Sequence, residues 1–226
     1  MIVRNLAWSA DEINIQPRPD NFADTEQHLT AMKADIVIAA FGFNESFGGE
    51  KQLSPFENQL AEYLSALKSK SYNGISAPRI ILVSPIANEN IKGVDAGKLN
   101  NPNIKIYSQV MKKVAQQQNV GFVDVFQQTA KKLDSEKSDY TINGIHLNSE
   151  GYSFFANLLF KGLFQKEPPA SDENVRAAVV EKNKQHFYRY RPLNTFYYTG
   201  GRRGKYGYLD FLPAMKNFDI MTANRD

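Results

Sequence analysis

Two short loops of this sequence carry residue types suited to proton transfer and to oxyanion binding. In the first, Asn143-Gly144-Ile145-His146, a histidine outside any apolar periodicity is placed to act as a general base. In the second, Gly42-Phe43-Asn44, the asparagine amide can donate hydrogen bonds to a developing oxyanion, and the glycine allows close backbone approach. Each loop also has a plainer interpretation, a surface or capping imidazole for His146 and an ordinary turn for residues 42–44.

The composition excludes several other kinds of site. The chain has no cysteine, so it has no disulfide, no thiolate nucleophile and no cysteine-ligated metal. Its three histidines, His28, His146 and His186, are far apart in sequence, and His28 and His186 lie in helical patterns. No glycine-rich dinucleotide or phosphate loop is present. We therefore predict neither a metal nor an organic cofactor.

Charge and hydropathy narrow the class of partner. Lysine and arginine number 27 against 24 acidic residues, and a net charge of +3 does not by itself indicate nucleic acid. No apolar run approaches the ~18 residues that a membrane span needs. The sequence therefore predicts a chain with no membrane span.

The two loops must be positioned by alternating strands and helices. Apolar runs predict strands at residues 2–6, 35–41, 79–83 and 120–125. Apolar positions spaced by three and four predict helices at residues 24–33, 55–68, 104–118 and 149–164. Such alternation favours a parallel α/β sheet, whose ligands lie outside the carboxyl ends of the strands. Residues 42–44 follow such an end.

The character of the chain changes after residue 164. Residues 165–170 contain Pro168-Pro169 and predict a linker between a domain of residues 1–164 and an extension of residues 171–226. Ser171 is predicted to cap a helix over 172–185, and residues 182–209 combine basic with aromatic side chains and have no acid. We expect these aromatics to be mostly buried against the domain. The alternative is a surface that stacks on bases or sugars.

Taken in order, the loops resemble the sequence blocks of the SGNH (GDSL-like) hydrolases. Residues 4–11 look like the second block, residues 40–47 like the third, and residues 141–152 like the fifth. The residues of these blocks are similar to those of GDSL-like lipase/acylhydrolase domains of planctomycete-type bacteria, and so is the segment Phe187-Tyr188-Arg189-Tyr190-Arg191-Pro192. The resemblance covers about residues 2–164.

The resemblance implies a three-layer, flavodoxin-like parallel sheet and hydrolysis of acyl esters or carbohydrate O-acetyl groups. It implies His146 as base, oriented from position 143, with Asn44, Gly42 and the backbone at Ala10 around the oxyanion. The partner would be a small-molecule or carbohydrate ester, and nucleic acid is not favoured. A periplasmic or extracellular location is expected from the resemblance alone, since the chain carries no recognisable signal peptide.

Three positions depart from the family pattern. The nucleophilic serine precedes the block seen at residues 4–11, so we expect an N-terminally truncated domain that lacks its first strand and is inactive as it stands. Asn143 replaces the usual aspartate, and in a serine-protease triad that change costs ~10⁴ in kcat. Nearby Asp139 is an alternative acid. Ala10 replaces a glycine, which matters only where the backbone needs a positive φ.

Three serines, Ser9, Ser46 and Ser84, lie at predicted strand ends, yet none is in a nucleophile-elbow sequence. We interpret them as loop or capping hydroxyls. Given Asn143 and the basic-aromatic tail, the alternative function is a catalytically inactive module of the same fold that binds carbohydrate or nucleic acid.

Overall fold

The computed structural model describes residues 2–19, 22–133, 139–191, 201, 204 and 212–226. Its sheet has three parallel strands in the order β1 (Ile36–Ala40), β2 (Arg79–Val83) and β3 (Gly121–Val123). The register pairs Ile36 with Arg79 and Ile81 with Gly121. Branched apolar side chains suit a pleated surface covered by helices, which is why these runs become strands. The prediction of an α/β fold with a parallel sheet is confirmed.

In the described chain, helices and strands alternate as far as the fourth helix, and three more helices follow it. The helices are α1 (Thr25–Ala31), α2 (Leu53–Lys68), α3 (Ala96–Gln118), α4 (Phe126–Leu133), α5 (Ser149–Phe164), α6 (Glu173–Tyr190) and α7 (Leu212–Ala223). Short 3₁₀ turns at Glu45–Gly48 and Glu50–Gln52 precede α2. None of the helices in the described ranges is long and apolar enough to cross a membrane.

The core of the sheet unit, residues 10–16 and 29–168, follows from two periodicities. Helix α2 buries Phe56, Leu60, Leu64 and Leu67 at spacings of three and four. Helix α3 packs against it, with the rings of Phe56 and Tyr107 4.9 Å apart. Along β1, Val37 and Ala39 are buried, whereas the alternate residues Ile36 and Ile38 are 44% and 47% exposed.

Helix α3 begins earlier than residue 104, the predicted start. The helix runs from Ala96 and contains Pro102, although proline in a helix interior removes a hydrogen bond. Side chains of its first turns bond to loops elsewhere. The Asn101 amide exchanges two hydrogen bonds with the Asn88 backbone, at 2.7 and 2.9 Å, and Asn100 donates to Ser46 at 2.9 Å. We attribute the additional turns to these long-range contacts.

The terminal unit comprises residues 1–9, 17–28 and 169–226. The predicted strand at residues 2–6 is wrong, because that segment of the unit is not a strand. Its carbonyls bond to side chains of the C-terminal part instead: the Tyr190 hydroxyl donates to Leu6 O at 2.9 Å, and Arg191 donates to Ala7 O. Arg4 also forms an ion pair with Asp226 at 2.6 Å. These bonds take the place of a strand ladder.

Within this unit the structure decides the predicted helix cap of the extension and describes part of its aromatic tail. Asp172, rather than Ser171, caps α6, because its carboxylate accepts from Asn174 N at 2.8 Å and from Val175 N at 3.2 Å. Tyr190 is buried, whereas Phe187 is 47% exposed. Five other tail aromatics lie outside the described residues: Phe196, Tyr197, Tyr198, Tyr206 and Tyr208. Packing of the tail against the sheet unit stays a prediction.

Candidate active site

Two of the predicted site residues have a positive φ, Gly42 in the loop after β1 and Ala10 in an earlier segment. Gly42 has φ +95°, and a Cβ added there would lie 2.9 Å from Met111 Sδ, so the tight turn requires glycine. Ala10 has φ +62°, in the left-handed region. The family position that normally carries glycine therefore does adopt a positive φ here, and alanine occupies it with strain.

Asn44 and Ala10 lie in neighbouring segments of the site. Asn44 Nδ2 donates to the carbonyl of Asp11, the residue after Ala10, over 3.4 Å. Asn44 is half-buried. The arrangement places a side-chain amide beside a left-handed turn at the carboxyl end of β1, where both could donate to a ligand oxygen.

Glu45 joins the same two segments, and the sequence reasoning missed it. Its carboxylate accepts from Gly42 N at 2.8 Å and from Ile13 N at 3.0 Å. Burial raises the pKa of Glu45, and these hydrogen bonds oppose the shift in part. An acid directly after the Gly-x-Asn turn was the available signal, because a carboxylate there can collect backbone N–H groups that the turn leaves unpaired.

His146 and Asn143 form the second part of the site, in the loop before α5. Asn143 Nδ2 lies 3.0 Å and Oδ1 3.1 Å from His146 Nδ1. Oδ1 also accepts from the backbone N–H of Ile145 and of His146. Both residues are exposed, and the asparagine contacts involve Nδ1 and not the other ring nitrogen, Nε2. The asparagine can thus orient the ring, although as an amide it lacks the charge of the usual acid.

The two parts of the site pack on one hydrophobic cluster. Ala87, Ile104, Phe126 and Leu133 form that cluster, and both Phe43 and Tyr140 pack against it. Phe43 precedes Asn44, and Tyr140 lies in the segment that leads into the His146 loop. Each loop is therefore flanked by an aromatic residue that packs on this cluster.

The alternative acid, Asp139, and two of the alternative serine nucleophiles make hydrogen bonds to other parts of the chain. Asp139 accepts from Asn148 Nδ2 at 3.2 Å, and Asn148 caps α5 by accepting from Gly151 N. Ser46 is fully buried; it donates to Phe43 O at 2.6 Å and accepts from Asn100. Ser84 is 3% exposed and accepts from Val125 N and Phe126 N at 3.0 and 2.9 Å. These two serines have structural roles.

Ser9 lies in an exposed turn and belongs to the terminal unit. Within the described ranges, no group of three or more histidine or acidic side chains is arranged to hold a metal ion.

Comparison with known proteins finds similar solved structures and a matching protein family. Solved structures with a similar fold include an acetylxylan esterase from Geobacillus stearothermophilus, Axe2, at 18% identity and a TM-score of 0.47, covering 66% of this chain and 71% of that one. They also include the acetyl xylan esterase AlAXEase, at 19% identity and a TM-score of 0.48, covering 62% and 72%. No curated protein matches significantly. The sequence pattern of the GDSL-like lipase/acylhydrolase family matches residues 2–154, and the chain belongs to that family.

Proposed function

We propose that this chain carries the base and the oxyanion side of an ester hydrolase site that acts on acyl esters, including O-acetyl groups on carbohydrate. The observation that carries the proposal is the pair of Asn143 and His146: when Nδ1 carries the ring hydrogen and donates it to Asn143 Oδ1, 3.1 Å away, Nε2 is left to take a proton. The pair lies in the part of the chain that matches the esterase family.

Each residue has a distinct role in the proposed reaction. A hydroxyl oxygen attacks the acyl carbonyl while its proton moves to His146 Nε2. The oxyanion that forms accepts hydrogen bonds from Asn44 Nδ2 and from backbone N–H groups near Ala10 and Gly42. As the carbonyl reforms, the proton on His146 goes to the departing alcohol oxygen.

The attacking serine in this proposal is not one of Ser9, Ser46 or Ser84. The hydrogen bonds and burial of Ser46 and Ser84 support this for two of them, because freeing either hydroxyl would leave backbone or amide groups unpaired. The proposal therefore expects no acyl-serine step at Ser46 or Ser84.

A small alcohol can replace the missing hydroxyl in a direct test. With 4-nitrophenyl acetate and methanol, attack on the acetyl carbon yields methyl acetate and 4-nitrophenolate, which absorbs visibly. We expect a methanol-dependent rate that is lost in His146→Gln and falls ~10²-fold in Asn44→Ala. Asn157→Ala, on the exposed side of α5, is the matched control and should keep the full rate.

Dependence on both residues separates an organised site from hydrolysis by any exposed imidazole. A folded protein with no methanol-dependent rate, or with the same rate in His146→Gln, would overturn the proposal.

The second candidate is a catalytically inactive module of the same fold that binds carbohydrate. The amide at Asn143 and the engaged hydroxyls of Ser46 and Ser84 favour it. A negative methanol assay together with retained binding of an acetylated oligosaccharide, measured by calorimetry, is the result expected of this candidate.

A further inference from the structure

The loop that carries His146 is attached to a buried acid from another part of the sheet unit. Glu89 lies in the loop after β2 and its side chain is fully buried. Oε2 accepts from Thr141 N at 2.8 Å and from Thr141 Oγ1 at 2.5 Å, and both oxygens accept from Tyr140 N at 3.2 and 3.3 Å. All of these contacts are donated to Glu89, as suits a carboxylate, which only accepts hydrogen bonds.

A second set of bonds closes the attachment from the other side of the loop. The backbone N–H of Glu89 donates to Gly144 O at 2.8 Å, and Gly144 N donates to Thr141 Oγ1 at 2.9 Å. Gly144 has φ +85°, and a Cβ there would lie 2.8 Å from Glu89 O. Thr141 and Gly144 are thus both held on one residue, and glycine is required for the close approach.

These anchors flank the pair at the site. Ile142 N donates to His146 O at 2.8 Å, and Thr141 faces Leu147 across a β-bridge. Asn143 lies between Thr141 and Gly144, and its Oδ1 accepts from His146 N at 2.9 Å. The imidazole is exposed, whereas its anchor is buried, so the position of the ring depends on bonds beneath the surface.

We propose that Glu89 is a positioning residue for His146, acting through Thr141 and Gly144. A buried carboxylate is costly to desolvate and is retained where its hydrogen bonds compensate. Here the bonds converge on three residues that set the His146 loop, Tyr140, Thr141 and Gly144. The catalytic meaning of this positioning rests on the proposed function, but the positioning itself is a property of the folded chain.

Glu89→Gln tests the proposal with little change in volume. The amide has one acceptor oxygen, and its N–H₂ would face the N–H of Tyr140 or Thr141, so donors would be left unpaired. We expect amide exchange at Thr141, Gly144 and His146 to accelerate about tenfold or more, with no equal change in α2. We also expect the ring ¹⁵N signals of His146, assigned with His146→Gln, to move and broaden.

Thr129→Val is the matched control. Thr129 is also buried and accepts from Ala87 N at 2.9 Å, in the same loop as Glu89, but none of its hydrogen bonds involves residues 139–148. It should lower stability and leave the His146 signals in place. If Glu89→Gln behaves like Thr129→Val, Glu89 is a structural acid only and the proposal is overturned.

A second variant covers the case in which Glu89→Gln does not fold. Thr141→Val removes only the hydroxyl that bridges Glu89 and Gly144. The proposal expects the same movement of the His146 ring signals, and unchanged signals would contradict it. Both readouts are independent of ester hydrolysis, so a negative methanol assay would reject the proposed function without deciding this positioning.

Discussion

Asn143 contacts His146 through both atoms of its carboxamide, with Nδ2 3.0 Å and Oδ1 3.1 Å from the same ring nitrogen. An amide can either donate to Nδ1 or accept from it, so it supports both neutral tautomers of the ring. Only the tautomer with the proton on Nδ1 leaves Nε2 free to act as a base. The contact with Asn143 therefore sets the fraction of His146 rings whose Nε2 is free to accept a proton.

Asn143→Asp should select the competent tautomer, because a carboxylate accepts but cannot donate. We expect the His146-dependent methanol rate to rise, by up to ~10⁴-fold if the full effect seen in a serine-protease triad applies. Long-range ¹H–¹⁵N spectra should show the ring proton on Nδ1. Unchanged ring spectra in the variant would contradict the role given to position 143.

Ala10→Gly should stabilise the protein. Ala10 has φ +62°, which costs an L-residue about 1–2 kcal/mol, and the entropy of a new glycine in the unfolded chain offsets part of the gain. We expect a net increase of about 0.5–1 kcal/mol in the free energy of unfolding, measured with urea. Ala66→Gly, at an exposed position inside α2, should have the opposite sign. Equal losses in both variants would mean that Ala10 is not strained.

Ser84→Ala should reduce stability by about 1–3 kcal/mol, because Val125 N and Phe126 N lose their buried acceptor. Ser65→Ala, exposed on α2, should stay within about 0.5 kcal/mol of the parent.

A fluorophosphonate probe should leave the intact mass of the folded parent unchanged. An adduct mapped to Ser84 or Ser46 would show that an activated serine exists despite its hydrogen bonds.

The terminal unit should lose stability in mild acid. His28 and His186 flank the buried Tyr190 ring, and the Nε2 atom of each is buried with no hydrogen-bond partner among the described residues. Burial is the main cause that lowers the pKa of both imidazoles below 6.5. The charged groups that also act on them are Arg18, Asp24 and Arg189 for His28, and Arg4, Arg189 and Asp219 for His186.

Lowered pKa values mean that the unfolded chain binds protons more tightly than the folded one. The stability contributed by the neutral rings is therefore complete above pH 6.5 and declines as pH falls below it. Trp8 donates to the Tyr190 hydroxyl at 2.8 Å and is the sole tryptophan of the chain, so its fluorescence reports this unit. In the double variant His28→Gln, His186→Gln, the stability of the terminal unit should depend less on pH below 6.5. An unchanged pH profile of stability would show that the two histidines are not its cause.

The free edge of β1 should promote self-association. Within the described residues, β1 pairs with β2 on one side only, and Ile36 and Ile38 are 44% and 47% exposed beside that edge. Ile38→Lys should lower the concentration-dependent mass measured by light scattering. Ile75→Lys changes an isoleucine that is 88% exposed in a loop and should not. If both variants lower the mass equally, general charge rather than the edge is responsible.

Several elements were predictable because their signals are local. The β-branched run at Ile36–Ala40 and the apolar spacing of α2 lie within single segments, and the structure has both. Helix α5 also begins and ends at the predicted residues, Ser149 and Phe164. The Asn143 and His146 pair follows from a short loop whose residues are three apart. In each case the chain within one element contains the information.

Other features depended on partners far along the chain. The apolar run at 2–6 has the composition of a strand, yet side chains more than 180 residues away bond its backbone. The start of α3, before Pro102, likewise depends on Asn88 and Ser46. Helix α4 is short and was not predicted, and its start depends on the Ser84 acceptor. Local propensity cannot supply such contacts, because they form only when distant segments pack.

The sequence by itself therefore determined the parallel α/β sheet, the family, and the two loops that carry Asn44 and His146, since each is encoded by residues close together in the chain. Tertiary structure alone decided that Ser46 and Ser84 are engaged, that Asp139 accepts from Asn148, and that Glu89 anchors the His146 loop. The physical reason is that a hydroxyl or carboxylate has no fixed role until packing brings it a donor or an acceptor, and these partners are up to 54 residues away along the chain.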